Sequence, residues 1–457
     1  MRPYSPRSQR DLVTELWATP ARYNSATPGA RSAPAGNPTP PMIAHCTRWL
    51  HIATAAYLLL VATSALNFWR SLAFGLGGMF ALALWTAGWR GLAPRVPSPG
   101  AAVLVTLGIW SAWACASLAW SVDPVYTAHE LKHDIGYSLI VMLTFYVAAG
   151  TVHGWPTVLL AALAGFALVA AFALGLATSP VGWEPGAWHG GVGAYSTYVV
   201  LIAPLLPMLL ARPPSGFGRN RATLLFGVAL ASLLLATARL TDNRMVWPAL
   251  AAVYVTMAVL AAIRWRAAVA STPARWIVPL LALLVVLTGL FVNVAQEKSH
   301  QYYPDQTTVA TLAGDPRFAL WGYTAERIGT RPWGGYGFGK LILADEFRQT
   351  LGDPMLTHAH NVFLSQWLQL GAVGAGAFVA LLGALAWRFS RFLRAPNDTL
   401  AVVGIVGLAL VAGFVVKNVA DDFLLQSNAK EFWALTAMLL GFGCAQEKAI
   451  AGAAAPA

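Results

Sequence analysis

The stretch Leu356-Thr-His-Ala-His-Asn-Val-Phe-Leu-Ser-Gln-Trp-Leu-Gln-Leu-Gly-Ala-Val-Gly374 sets the reading of the chain. A polar turn bearing two histidines runs straight into an apolar helix, as where a chain passes from water into lipid. Before it lies a long hydrophilic insertion, Ala295 to Thr357, in an otherwise apolar sequence. Outward on both sides the apolar runs are about 20 residues long, the length a bilayer requires, and they do not alternate as barrel strands would. About 12 such runs are expected to span, at 49–68, 71–89, 101–120, 136–152, 155–176, 191–211, 222–239, 245–263, 276–295, 360–387, 399–418 and 430–446. This predicts an all-α polytopic membrane protein. Spans one to nine fill 47–295, a long outer loop with amphipathic helices fills 296–359, and spans ten to twelve fill 360–446.

Composition agrees. The chain is 57% hydrophobic and 11% charged, with mean hydropathy +0.58, whereas a soluble domain carries about 25% charged residues. Residues 1–46, rich in Pro, Ser, Ala and Arg without a periodic apolar face, read as a disordered basic tail, and 447–457 as a second tail. The first tail lacks a signal peptide's apolar core and cleavage site, so the first span is expected to stay as an anchor. Cys46, Cys115 and Cys444 sit in or beside apolar runs at no metal-binding spacing and read as small hydrophobes rather than disulfide partners. No nucleic-acid module and no soluble Ser/His/Asp or Cys/His triad is visible.

Charge sets the topology. With the N-terminus in the cytoplasm, the inner loops carry Arg90 and Arg95, then Arg212, Arg219 and Arg221, then Arg264, Arg266 and Arg275, and finally Arg388, Arg391 and Arg394. Acids such as Asp123, Glu130, Asp134, Glu184, Asp242, Asp421 and Asp422 fall on the other side, which is the positive-inside pattern. Both termini are then cytoplasmic and the long loop is outside. Against that pattern, Arg239, Arg244, Arg317, Arg327, Arg331, Lys340, Arg348 and Lys417 are outer-side cations. An ion at a helix centre costs roughly 2.5–3.5 kcal/mol, so one retained near the membrane calls for a partner, such as an anionic lipid headgroup.

Three positions stand out. In Asp315-Pro-Arg-Phe-Ala-Leu-Trp-Gly-Tyr-Thr-Ala-Glu-Arg-Ile328, Asp315 caps a helix and Pro316 takes its first position. Phe318, Trp321, Ala325 and Ile328 recur at helical spacing, as on an amphipathic helix lying against the bundle. Arg317 then projects from a first turn whose free N–H groups favour an anion, although a solvated arginine paired with Asp315 or lipid fits the position equally. In the short turn Thr241-Asp-Asn-Arg-Met-Val-Trp247, Arg244 opens the next helix, either aimed at an anion or as an interfacial anchor beside Trp247. His360 and Asn361 open the tenth span. A helix N-terminus and nearby arginines disfavour an imidazolium there, leaving either a neutral general base or a ring satisfied by backbone. His358, two residues earlier, is placed on a mobile loop. Gly334-Gly-Tyr-Gly-Phe-Gly-Lys340 mimics a phosphate loop, but Leu341 stands where a metal-binding Ser or Thr is needed and no strand precedes it, so it reads as a turn. Asp421-Asp422 lacks a third hard ligand and reads as orienting a basic neighbour.

Together, Asp242-Asn-Arg244, Arg317 with Trp321, Pro332-Trp-Gly-Gly-Tyr-Gly-Phe-Gly339, and His360-Asn361 with Leu364 and Gly371-Ala-Val-Gly374 resemble the O-antigen ligase/polymerase superfamily, which includes bacterial protein O-oligosaccharyltransferases. The likeness in detail runs from the seventh span to the eleventh. The first half adds only hydropathy and Trp120-Ser-Val-Asp-Pro124. The sequence departs from the family in having Asn243 where Ser often precedes the arginine, and Gln369 where an acid is common. Length, a single dominant outer loop and no appended soluble domain look most similar to the ligase. The resemblance implies a GT-C-like, inverting, metal-independent glycosyltransferase of the bacterial inner membrane, without cofactor, active on the periplasmic side. The implied donor is a glycan on undecaprenyl diphosphate and the acceptor lipid A–core, both drawn from the membrane lipid phase. His360 would be the base, Arg244 and Arg317 would hold the diphosphate, and Asn361, Trp321 and His358 would contact substrate. Protein glycosylation or O-antigen polymerisation remain alternatives within the family, and transport of the lipid-linked glycan is the alternative outside it.

Overall fold

Every described element of the computed structural model is helical. It describes residues 40–454 apart from 62–65, 152–153, 178–190, 212–220, 303–304, 306, 309, 311–313, 354–355 and 425. The greater part of the expected N-terminal tail, the loop bearing Glu184, and Arg212 and Arg219 therefore lie outside the described residues. The helices are α1 (Pro41–Leu60), α2 (Asn67–Trp89), α3 (Ala101–Ala116), α4 (Pro124–Glu130), α5 (Tyr137–Ala149), α6 (Gly154–Ala177), α7 (Val192–Ile202), α8 (Leu205–Ala211), α9 (Arg221–Leu240), α10 (Val246–Arg264), α11 (Arg266–Ser271), α12 (Pro273–Tyr302), α13 (Arg317–Thr330), α14 (Ala344–Leu351), α15 (Val362–Arg394), α16 (Asp398–Asn418) and α17 (Gln426–Ala454). A π-helical turn, Leu131–Gly136, joins α4 to α5. Nine stretches among the described residues are long and apolar enough to cross a membrane. The other three apolar runs fall on α1, on the short α5, and on α17, which carries Lys430, Glu431, Glu447 and Lys448.

Several boundaries differ from expectation, each for a local reason. The helix α1 starts at Pro41, inside the supposed tail, because proline suits the first helical position. At the other end α17 continues to Ala454 through Gln446-Glu-Lys-Ala-Ile-Ala, all but one strong helix formers. The run 191–211 is two helices, since Pro204 has no N–H to continue the ladder. The ninth expected span lies on α12, which passes 295 and ends at Tyr302; Glu297 in its polar extension holds Arg239 at 2.7 Å. The tenth run is one long helix with a break: Gly371 has φ 66° and ψ −173°.

Met42–Ala457 packs as one unit. Its core is aromatic as well as aliphatic, with Trp247, Trp433, Phe166, Phe378, Phe389 and Phe432 fully buried. Phe414 of α16 stacks on Phe432 of α17 at 4.1 Å between ring centroids. The buried Trp110 of α3 donates its indole N–H to Gln366 of α15 at 3.0 Å. The helices have two distinct ends. At one, Arg264 reaches Asp398 at 3.2 Å and Arg388 reaches Glu447 at 2.5 Å. The helix α10 carries the chain from Arg264 back to Arg244, a rise of roughly 28 Å, close to the ~30 Å hydrocarbon core of a bilayer. The candidate site gathers at that second end.

Candidate functional site

Three segments bring the singled-out residues together. The turn before α10 supplies Arg244, with Asp242 at φ 48°. In that turn Asn243 Oδ1 accepts the Met245 N–H at 2.9 Å, fixing the backbone that carries the arginine. Arg244 donates to Asp315 Oδ2 at 2.6 Å. Asp315 does more than the helix-capping role its position suggests: its other oxygen accepts the Arg317 N–H at 3.0 Å, and its Oδ2 lies 4.0 Å from the Arg317 guanidinium. The N–H groups of Arg317 and Phe318 are both taken by Asp315. Arg317 turns toward Asp421, at 3.5 Å.

Asp421 is the anionic hub. It is buried and pairs with the wholly buried Lys417, with Arg317, and with Asn243 Nδ2 at 3.4 Å. Burial alone would raise its carboxyl, but Lys417 and Arg317 outweigh that and hold it below the usual carboxylate range. The Asp421 carboxylate thus orients basic neighbours, whereas Asp422 offers them its backbone carbonyl. Lys340 belongs here too: it donates to the Asp422 carbonyl at 2.5 Å and lies 5.2 Å from the Phe423 ring centroid. Lys298, at the end of α12, stands within the field of Arg244, Arg317 and Asp421.

His360 completes the group. It is backbone-strained, at φ 46°, a conformation that costs about 1–3 kcal/mol and persists where surroundings over-determine it. Those surroundings are visible. Trp321 of α13 donates its indole N–H to the Ala359 carbonyl at 2.9 Å. Asn361 caps α15, accepting from the N–H groups of Phe363 at 2.9 Å and Leu364 at 3.1 Å. His358 precedes the helix, yet it is not apart from the site: its ring lies 3.9 Å from that of His360, and its Nδ1 is 3.0 Å from Thr357 Oγ1. Burial, then the charges of Lys340 and Arg317, push the His360 imidazolium down, with Asp421 and Asp422 opposing. His358 is pushed down by burial, Lys340 and His360. Both rings are therefore neutral near pH 7.

The glycine-rich segment is a turn, and its packing explains the break in α15. Tyr336 and Gly337 donate their N–H groups to the carbonyls of Leu368 (3.0 Å) and Gln369 (2.9 Å), and Ala372 N–H donates to the Pro332 carbonyl at 2.7 Å. Trp113 supplies the Leu370 carbonyl with an indole N–H at 2.9 Å. Gln369, where family members often carry an acid, is buried; its Oε1 accepts the Gly339 N–H at 2.9 Å and its Nε2 donates to Ser365 at 2.8 Å. The turn so fixed delivers Lys340 to the histidines. The mimicry of a phosphate loop drew attention from this lysine, although an outer-side cation was the signal that could have found it. That same signal applied to Lys298.

Among the described residues no group of three or more His, Cys, Asp or Glu side chains could hold a metal ion. A cavity of about 360 Å³ lies away from these charges, at the opposite end of the bundle. The arrangement offers buried, oriented cations beside a neutral imidazole, suited to an anionic leaving group and a proton acceptor. A family model described as O-antigen ligase matches residues 226–379, which include Arg244, Arg317 and His360. No curated protein matches the chain. Residues 226–379, about a third of the chain, are thus similar to the O-antigen ligase family, whose members are glycosyltransferase-like ligases and polymerases, and the apolar helices make the chain a polytopic membrane protein.

Proposed function

We propose that this protein is an inverting glycosyltransferase of the bacterial inner membrane that moves O-antigen glycan from undecaprenyl diphosphate to lipid A–core at the periplasmic face. The observation that carries this reading is the shared carboxylate, Asp315, which binds Arg244 and lies 4.0 Å from Arg317, itself one of the charges that bear on His360. Cleavage at the anomeric carbon builds positive charge on the sugar and negative charge on the departing oxygen. Arg244 and Arg317 would leave Asp315 for the diphosphate and hold that charge more strongly as it develops. His360 would take the proton of the acceptor hydroxyl as it attacks from the opposite face. Trp321 and Asn361 position the histidine turn in this scheme, and His358 lies against the base on the substrate side. Both termini would be cytoplasmic, following the basic end of the bundle.

The deciding experiment incubates purified protein with lipid-linked glycan and either lipid A–core or a pilin acceptor. Mass gain on lipid A–core is expected; gain only on protein would reassign the acceptor. Arg244→Lys and Arg317→Lys are each expected to lower turnover by about tenfold or more, because an ammonium cannot make the two-pronged contact of a guanidinium. Full activity of either lysine variant would remove that arginine from the diphosphate. Activity is expected to survive EDTA; loss restored by magnesium would point to a metal-assisted reaction.

The pH dependence has a definite sign. A base works when unprotonated, and a pKa lowered from 6.5 keeps His360 unprotonated below pH 6.5. The rate should hold its plateau through pH 6.5 and fall only in more acid solution. An acid limb centred above 6.5 would contradict the assignment.

A further inference from the structure

At the end of the bundle away from His360, α2, α3, α5 and α17 enclose a cavity of about 360 Å³. Between Val362 and Arg388, α15 rises roughly 40 Å, and the Arg388 Cδ lies 3.9 Å from where a side chain on Gly100 would begin. The cavity therefore stands about a membrane thickness from the charged site and is independent of it. Its walls are apolar, with Trp85, Trp89, Leu104, Leu107, Leu143 and Leu440 among them. Residues 95–99 close one side. That segment is fixed, because the Tyr146 hydroxyl donates to the Pro97 carbonyl at 2.7 Å and Lys448 donates to the Arg95 carbonyl at 3.0 Å.

The one charged side chain on the wall is Arg95. Its guanidinium lies 5.6 Å from the Trp89 ring centroid and makes no ion pair among the described residues. The nearby carboxylate, Glu447, is taken by Arg388 at 2.5 Å. The mouth is thus basic, with Arg95 on the wall and Lys448 at the Arg95 carbonyl, and the apolar interior would reject sugars and nucleotides. The volume falls within the roughly 300–1,000 Å³ of small-molecule sites. We propose that this cavity holds one acyl chain of an anionic phospholipid, with the lipid phosphate on Arg95 and the two tryptophans at headgroup depth. Basic rims beside membrane helices favour anionic over zwitterionic lipid, and tryptophan rings settle at the membrane–water boundary.

The test reads lipid occupancy rather than glycan transfer, so it stands or falls separately from the enzymatic reading. The full-length protein is placed in phosphatidylcholine nanodiscs with a trace of phosphatidylglycerol carrying a diazirine on one acyl chain, then irradiated and mapped by mass spectrometry. Adducts should concentrate on Leu104, Leu107 and Leu143 over the exposed Val285 of α12. Arg95→Ala should lower them about fivefold, and Leu107→Trp, which fills the cavity, should remove them, with both proteins keeping the parental unfolding temperature. Should the tryptophan variant unfold, the alanine variant alone carries the test. Equal labelling by a diazirine phosphatidylcholine, indifference to Arg95→Ala, or preferential labelling by a prenyl diphosphate probe would overturn the proposal.

Discussion

Alanine at His360 is expected to cut glycan transfer by about 10²–10⁴-fold, the usual worth of a positioned general base, while donor binding stays nearly intact. The separation follows from the geometry. The cations of the site, Arg244, Arg317, Lys340 and Lys417, are held by Asp315, Asp421 and the Asp422 carbonyl, none of which needs the imidazole. Alanine carries the same Cβ at φ 46°, so the backbone strain is unchanged and the variant should keep close to the parental unfolding temperature. Measured side by side, transfer to lipid A–core should collapse and retention of the lipid-linked donor should not. Normal turnover by the variant would end the base assignment. Equal loss of binding and turnover would instead make His360 a structural part of the donor site.

The second large effect concerns the fold. Gly371→Ala should destabilise the protein by at least about 3 kcal/mol, since its backbone region is essentially closed to other residues. A Cβ there would also sit 2.0 Å from the Trp333 carbonyl oxygen and 2.1 Å from its carbon, both backbone atoms with no rotamer to yield. Relief requires the glycine-rich turn to lift, which breaks the Ala372-to-Pro332 hydrogen bond. Gly376, on the same helix, meets nothing within 4 Å, so Gly376→Ala is the matched control and should be neutral or slightly stabilising. Thermal unfolding in detergent distinguishes them; if both variants unfold together, the break is not needed for stability.

Much of this was legible in the residues because lipid imposes a plain demand. The apolar run 399–418 and the helix Asp398–Asn418 nearly coincide, since a spanning helix must satisfy its backbone internally over a fixed length. Arg244, Arg317 and His360 were singled out as outer-side polar groups and by family likeness, and the fold brings them to one end. Other features had no local signal. One glycine in an apolar run is commonplace in membrane helices, so Gly371 gave no sign of a break; its conformation is set by a turn more than thirty residues earlier in the chain. Asp315 read as a cap because capping is a local matter, whereas its grip on Arg244 spans 71 positions. Pro204 did carry a local warning, but the hydrophobicity around it masked the interruption.

The interrupted helix has a mechanical consequence. Leu368, Gln369 and Leu370 have carbonyls that look outside their own helix for donors, and the Tyr336–Gly337 backbone and Trp113 provide them. Swinging the 332–339 segment outward would strand two of those oxygens inside the bundle, at a desolvation cost of about 1–3 kcal/mol each. That segment is therefore a fixed sill and not a door. In the proposed reaction the two lipid-borne substrates would have to reach the histidine across another wall, and a molecule wedged under the sill would inhibit by unmaking a transmembrane helix rather than by occupying the proposed reaction centre.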